Sequence, residues 1–462
     1  MSVELMVNQW IETAHDRGAS DIHFEPLDKD DRLRVRMRVD GELRGVETVN
    51  DGRKVIARLK VMAGLDVNER GVPLDGRIKF SASGGGRGGL DLRLSTTPCM
   101  GGEKAVLRLI DSSRLGMSLE DLGYTKRMLD LYRPHTLAPY GLLLHVGPTG
   151  SGKTTSLYAV LTSLNRTEIN IQTVEDPVEY DVAGITQTQV SHDLGLTFPR
   201  VLRALLRQDP NVILVGEIRD PETAEIALEA SMTGHLVLST LHANEAVGAL
   251  IRLLDMGMTP YSIAYALRCV VAQRFARRLC EQCRKKVTPP EALARLIGPG
   301  RAIYTGEGCK ACQRTGFSGR IPLYEYMPMS DALKKAAYGE TTPDALQAVA
   351  ARSGMITMFE DGLEKASAGL TSIEEVLRLT KGLRTSPRST AHRRPTTSAT
   401  ASSSGAAPRP SGTGSAPAAR PAPPRQTGPQ ARPTSQSDVI PGVRPAPARP
   451  GAPRPPRPPG VR

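Results

Sequence analysis

The sequence predicts an α/β protein, a parallel sheet flanked by helices and preceded by a smaller α+β domain. Three observations carry this. From Leu137 onward, short apolar runs alternate with helical segments, the pattern of a parallel sheet. Up to about residue 112, runs of period-two alternation are broken by turn residues. Between Val146 and Thr155 stands GPTGSGKT, a glycine-rich turn joining an apolar run to a helix.

Residues 2–17 place Val3, Leu5, Met6, Trp10, Ile11 and Ala14 at roughly helical spacing. Asp21–Pro26 reads as a short strand stopped by proline. Leu33, Val35, Met37 and Val39 alternate with Arg34, Arg36 and Arg38; Asp40-Gly41 then turns the chain into a second strand opened by Leu43. The arginine row reads as a solvated sheet face. A helix is expected over Val55–Ala63. Asp75-Gly76-Arg77 precedes a strand at Ile78–Phe80, and a Ser/Gly loop leads to a strand at Leu90–Leu94 carrying Arg93. The expected boundaries are an N-terminal α+β domain over 1–112 and a linker over 113–122.

A second domain is expected over 123–384. Leu142, Leu143, Leu144 and Val146 form its first strand and Thr155–Leu164 the helix after the loop. Strands follow at Ile169–Val174, Val212–Val215 and Leu236–Leu241, with helices at Phe198–Arg207 and Ala224–Ala230. The four strands end respectively in the glycine loop, in Glu175-Asp176, in Glu217 and in His242. Ligand crevices of open α/β sheets lie at that end. Past residue 260 the chain is expected to turn helical, to be interrupted by a cysteine segment and to close with a small helical region to about 384.

Charge separates the chain into two parts. The formal net charge is +12, yet residues 385–462 alone hold 12 Arg, no Lys and one Asp, leaving 48 basic against 47 acidic side chains elsewhere. The folded part is balanced, which disfavours nucleic acid as a partner. The tail also holds 19 of the 36 prolines and is expected to be disordered. No run approaches 18 consecutive apolar residues, and the start lacks a signal-peptide pattern, so a cytoplasmic location is expected.

GPTGSGKT fits G-x-x-x-x-G-K-[ST]. Backbone N–H groups of Gly147, Pro148, Thr149, Gly150, Ser151, Gly152, Lys153, Thr154 and Thr155, proline excepted, are the candidates to surround phosphate oxygens at a helix N-terminus. Lys153 would reach the outer phosphates and the Thr154 hydroxyl would hold magnesium. Glu217 is the acidic strand end expected to reach that ion or to orient water. Glu175 and Asp176 offer a second acidic pair, and spacing does not choose between Glu175 and Glu217 as general base. His235 and His242 flank one strand beside the site. Cys280-x-x-Cys283 and Cys309-x-x-Cys312 supply four thiolates suited to a closed, structural zinc site within about 278–326. Cys99 and Cys269 read as buried thiols outside it.

Taken together, these stretches resemble the secretion ATPases of type II secretion and type IV pilus assembly, the GspE and PilB kind. The resemblance rests on ASDIHFEP, RVRMRVDGEL, PLDGRI, GEKAVLRL, GPTGSGKT, TVEDPVEY, LRALLRQDPNVILVGEIRD and TGHLVLSTLH, in that order. It implies a RecA-like P-loop NTPase domain, a PAS-like N-terminal domain and a zinc-knuckle insertion. It implies ATP as substrate, with the nucleotide between the two domains. Arg77 and Arg93 match arginines that reach the outer phosphate; Arg203, Arg207 and Arg219 match others near the site. It further implies a homo-hexamer on an inner-membrane platform protein, peripheral to the membrane through partners. The cysteines tilt the reading toward pilus or pseudopilus assembly rather than retraction; a nucleic-acid-driven translocase is the more distant alternative. Typical members carry a further N-terminal domain, whereas this chain starts at the helix before ASDIHFEP and adds the Pro/Arg tail.

Overall fold

The computed structural model describes residues 2–27, 30–81, 90–110, 116–298, 300–339 and 342–381. The Ser/Gly loop, part of the expected linker and the Pro/Arg tail lie outside them.

The first layer pair runs α1 (Val3–Asp16), β1 (Ala19–Pro26), β2 (Leu33–Val39), β3 (Glu42–Val49), α2 (Gly52–Met62), β4 (Leu74–Phe80), β5 (Leu90–Cys99) and β6 (Gly102–Ile110). Ser2 caps α1 by accepting from the Leu5 N–H, and Val7, Trp10, Ile11 and Ala14 bury one stripe. The β2–β3 turn is tight because Asp40 and Gly41 both take positive φ, 52° and 88°. The strands form one antiparallel sheet ordered β3-β2-β1-β6-β5-β4. Trp10, Phe24, Val35, Leu59, Leu92 and Leu107 share its core.

The second layer set continues with α3 (Lys126–Thr136), β7 (Gly141–Val146), α4 (Lys153–Leu164), β8 (Ile171–Glu175), β9 (Thr186–Gln189), α5 (Phe198–Leu205), β10 (Val212–Ile218), α6 (Pro221–Met232) and β11 (Leu236–Leu241). Next come α7 (Ala246–Asp255), α8 (Pro260–Ala266), β12 (Leu267–Leu279), β13 (Arg284–Val287), α9 (Glu291–Ile297), β14 (Ile303–Gly306) and β15 (Phe317–Pro328). Four helices close the described chain: α10 (Asp331–Ala337), α11 (Pro343–Arg352), α12 (Met358–Ser367) and α13 (Ile373–Thr380). Seven strands make a sheet ordered β15-β12-β7-β11-β10-β8-β9, parallel except for β15 against β12. Leu142, Leu144 and Val146 enter one core and Leu143 the other, so helices cover both faces and β7 is buried along its length. A two-stranded sheet of β13 and β14 carries the cysteine segment.

Several expectations change. The stretch after residue 260 is helical only through the seven-residue α8 before the chain enters the 13-residue β12, paired on both sides; the closing helical region follows as α10–α13. Asp75, Gly76 and Arg77 lie inside β4 rather than before it. The arginine row is not a free solvated face. Arg34 and Arg36 donate to Glu25, and Arg38 and Arg108 face Asp21, all across neighbouring strands. Cys269 is buried as expected, but Cys99 is exposed.

Candidate active site and metal centre

The glycine loop leaves the C-terminal end of β7 and feeds α4. Gly147 (φ 144°), Gly150 (φ 75°) and Gly152 (φ 90°) hold conformations that side chains avoid. Two of them are also closed by packing. A Cβ on Gly147 would sit 2.3 Å from the Gln273 carbonyl oxygen, and one on Gly152 would sit 2.7 Å from Gln273 Nε2. The loop is thus seated on β12. Buried Gln273 also accepts from the Ser156 hydroxyl at 2.9 Å, tying β12 to the first turn of α4.

The residues of the loop fit a phosphate. Lys153 Nζ donates to the carbonyls of Gly147 (2.9 Å) and Pro148 (3.1 Å), curling over the loop. Burial lowers its pKa, and the Glu217 charge works in the other direction. Ser151 Oγ is buried with no hydrogen-bond partner among the described residues, close beside Gly147 of the same loop. Thr154 and Thr155 follow Lys153 in the first turn of α4, where a hydroxyl meets a phosphate-bound cation in loops of this kind.

Glu217 and its neighbours gather at the same sheet edge. Glu217 accepts from His242 Nε2 at 3.1 Å and pairs with Arg219, which also approaches Asp176 at 3.5 Å. Glu175 differs. It is buried, and its carboxylate accepts from the hydroxyls of Tyr158 (2.6 Å) and Thr173 (2.7 Å) and from Gln187 Nε2 (3.2 Å).

Other candidates lie apart. His235 precedes β11, whose Leu236 pairs with Gly141 at the start of β7, so it stands at the opposite sheet edge from the loop, roughly 20 Å away along the strand. Its Nδ1 faces the Ala230 carbonyl at 3.0 Å. Arg203 pairs with Glu222 at 2.7 Å, and Arg207 donates to the Arg203 carbonyl. Arg77 and Arg93, from β4 and β5, cross to the segment after β8. Arg77 donates to the Val178 carbonyl (2.7 Å) and Gln189 (3.2 Å), and Arg93 to the same carbonyl (2.9 Å) and to Glu179 (3.1 Å). Sequence reasoning missed Gln273, Tyr158 and Gln187. The one available signal was a lone amide within an apolar run.

The four cysteines converge. Sγ separations are 3.8 Å for Cys280–Cys309, 3.8 Å for Cys283–Cys312 and 3.7 Å for Cys309–Cys312. Four sulfurs ~2.3 Å from the centre of a tetrahedron lie about 3.8 Å apart, so the set fits zinc. Backbone N–H groups of Cys309 (3.1 Å) and Gly316 (3.3 Å) point at Cys312 Sγ, as they would toward a thiolate ligand.

The family described as Type II/IV secretion system protein matches residues 1–378. The chain belongs to that family. Among its relatives, the type IV pilus assembly ATPase PilB of Thermus thermophilus is 44% identical over 384 residues, covering 81% of this chain and 43% of that protein. The type II secretion system protein E of Pectobacterium carotovorum is 46% identical over 382 residues, covering 81% of this chain and 75% of that protein. The chain therefore spans less than half of the Thermus relative. Among solved structures, the pilus retraction motor PilT with bound ADP is 26% identical with a TM-score of 0.56, covering 81% of this chain and 97% of that one. The DotB ATPase of Legionella pneumophila shares the fold, with a TM-score of 0.62 at 20% identity, covering 82% of this chain and 96% of that one. No helix among the described residues is long and apolar enough to cross a membrane.

Proposed function

We propose that the chain is an ATP-hydrolysing motor subunit that drives addition of pilin-like subunits in a type II secretion or type IV pilus assembly machine. The observation that carries the reading is the seated glycine loop with Lys153 over it and Glu217 facing Lys153 at the same sheet edge. Lys153 and the loop N–H groups hold the β- and γ-phosphates. The Thr154 hydroxyl would hold magnesium, which would supply charge neutralisation on the phosphates.

The two acids divide the work. Glu217 faces the charges of Arg219 and Lys153 and accepts a hydrogen bond from His242, which suits a fixed negative charge opposite the phosphate-bound cation. Glu175 has only neutral described partners, two hydroxyls and an amide, which sets it apart from Glu217 as the candidate general base. In the step itself, water attacks the γ-phosphorus, the bond to the β–γ bridging oxygen breaks, and the water proton passes to Glu175. Arg77 and Arg93 neutralise charge on the transferring group once the N-terminal domain swings toward the loop.

The unit of function is a homo-hexamer at the cytoplasmic side of the inner membrane, peripheral through a platform protein, with zinc as a structural ion. The division between the two domains is taken at 113–122. A retraction motor is the second reading, favoured by the likeness to PilT and opposed by the four cysteines. Deletion of the gene separates them: loss of filaments supports assembly, accumulation supports retraction. The direct test is phosphate release by the wild type and Lys153→Ala with zinc measured on the same samples. Activity lost in the variant at unchanged zinc content supports the reading, and equal release by both proteins overturns it.

A further inference from the structure

The zinc lobe lies outside the reaction just described, but it touches the first sheet at a defined place. Three polar contacts join the tip of the β2–β3 hairpin to β12, to the loop just after Cys312 and to the start of β15. Arg44 donates to Gln313 Oε1 at 3.0 Å, the Gly319 N–H donates to Asp40 at 3.1 Å, and Arg277 pairs with Glu42 at 3.1 Å. Gln313 adjoins Cys312 in sequence, and Arg277 on β12 stands three residues before Cys280.

The receiving surface is organised in advance. Arg277 is held by buried Glu375 at 2.7 Å, and its guanidinium lies 4.2 Å from the centre of the Phe317 ring. The loop carrying Gln313 folds back on the cysteines before it enters β15, at whose irregular start Gly319 stands: Gly316 donates to Cys312 Sγ, the Cys280 N–H donates to the Gly316 carbonyl at 3.0 Å, and the Thr315 hydroxyl donates to the Cys312 carbonyl at 2.6 Å. Gln313 and Arg314 hold positive φ, 51° and 62°, a conformation that persists only where the surroundings impose it. A metal held by the four cysteines would supply that imposition, because small sites of this kind fold with their ion.

We infer that the zinc lobe is the docking seat for the hairpin tip of the chain's own N-terminal sheet, and that metal occupancy decides whether the tip is held. Without the metal, the loop presenting Gln313 loses its shape, the irregular start of β15 at Gly319 into which it leads loosens with it, and two of the three contacts go. Arg277 alone offers a half-exposed ion pair, too weak to hold a sheet in place. Hydrolysis does not enter the inference, so it stands or falls separately from the motor reading.

The test uses the full chain without nucleotide, carrying spin labels on ketone side chains introduced at exposed Thr48 and Lys286, away from cysteine chemistry. The zinc-loaded protein is expected to give one narrow distance distribution. Stripping the metal with a chelator is expected to broaden it at least twofold, and re-adding zinc to restore it. Asp40→Asn combined with Glu42→Arg, which leaves all four cysteines in place, is expected to broaden it while zinc content stays at one per chain. That variant keeps the question answerable if the stripped protein unfolds. A distribution unchanged by the hairpin variant, or by reversible metal removal with helical content preserved, overturns the inference.

Discussion

Glu175 and Glu217 end neighbouring strands, β8 and β10, yet meet different surroundings. Glu217 faces Arg219 and His242, whereas Glu175 is enclosed by two hydroxyls and an amide. If Glu217 serves as fixed charge and Glu175 as proton acceptor, replacing each by the isosteric amide separates the roles. Glu175→Gln is expected to bind the triphosphate normally and to cleave it at least ~100-fold more slowly, the usual worth of a general base. Glu217→Gln is expected to weaken magnesium-dependent nucleotide binding as well. Fluorescent-nucleotide titration beside single-turnover cleavage reads both, and a Glu175→Gln protein that still cleaves at the wild-type rate would reverse the assignment. Spacing alone placed both carboxylates at the sheet edge but did not show their partners, because Tyr158 and Gln187 reach Glu175 from other elements.

At the scale of elements, β12 and β1 carry expectations of their own. Gln273 supports the loop through its carbonyl, its amide and the Ser156 hydroxyl. Gln273→Ala removes a buried hydrogen bond worth about 1–2 kcal/mol and opens space beneath Gly152. Nucleotide affinity should fall roughly tenfold while zinc content holds. In β1, burial alone would raise the pKa of Glu25, but hydrogen bonds from Arg36, Lys104 and Arg34 bring it to about 2. Because the folded value lies below the ordinary 4.5, the contribution is complete above that pH and fades as pH falls toward 2. It amounts to something on the order of 2 kcal/mol, so Glu25→Gln should be less stable at neutral pH and lose less on acidification, as denaturant unfolding at pH 7 and pH 3.5 would report. The loop, the four strand ends and the cysteine pairs were all legible in the sequence, since each is a local pattern. β12 was not. Leu267, Val270, Val271 and Leu279 sit at helix-like spacings, and a strand covered on both faces shows no alternation to correct that impression. Its support of a loop more than a hundred residues earlier in the chain is a long-range contact that no local pattern records.

For the molecule as a whole, the arrangement of Arg77 and Arg93 defines what a working cycle must change. Both guanidiniums are engaged with the Val178 carbonyl, and further with Gln189 and Glu179, rather than with the glycine loop. To reach a γ-phosphate they must leave these partners, and an exchange of one set of charge-assisted bonds for another has a small net cost. On the function proposed above, the segment after β8 is a resting place from which the triphosphate draws the arginines and the diphosphate, which lacks the group they would meet, does not. Arg93→Ala and Arg77→Ala should therefore bind ADP as the wild type does, while turnover falls on the order of 10³-fold, the scale of a phosphate-directed arginine. Glu179→Ala, which frees Arg93 from its ion pair, should strengthen triphosphate binding relative to ADP. Calorimetric titration with ADP and a non-hydrolysable triphosphate, beside steady-state phosphate release, tests the set. Equal losses of ADP and triphosphate affinity in the arginine variants would mean that these side chains hold the protein together instead of answering the phosphate.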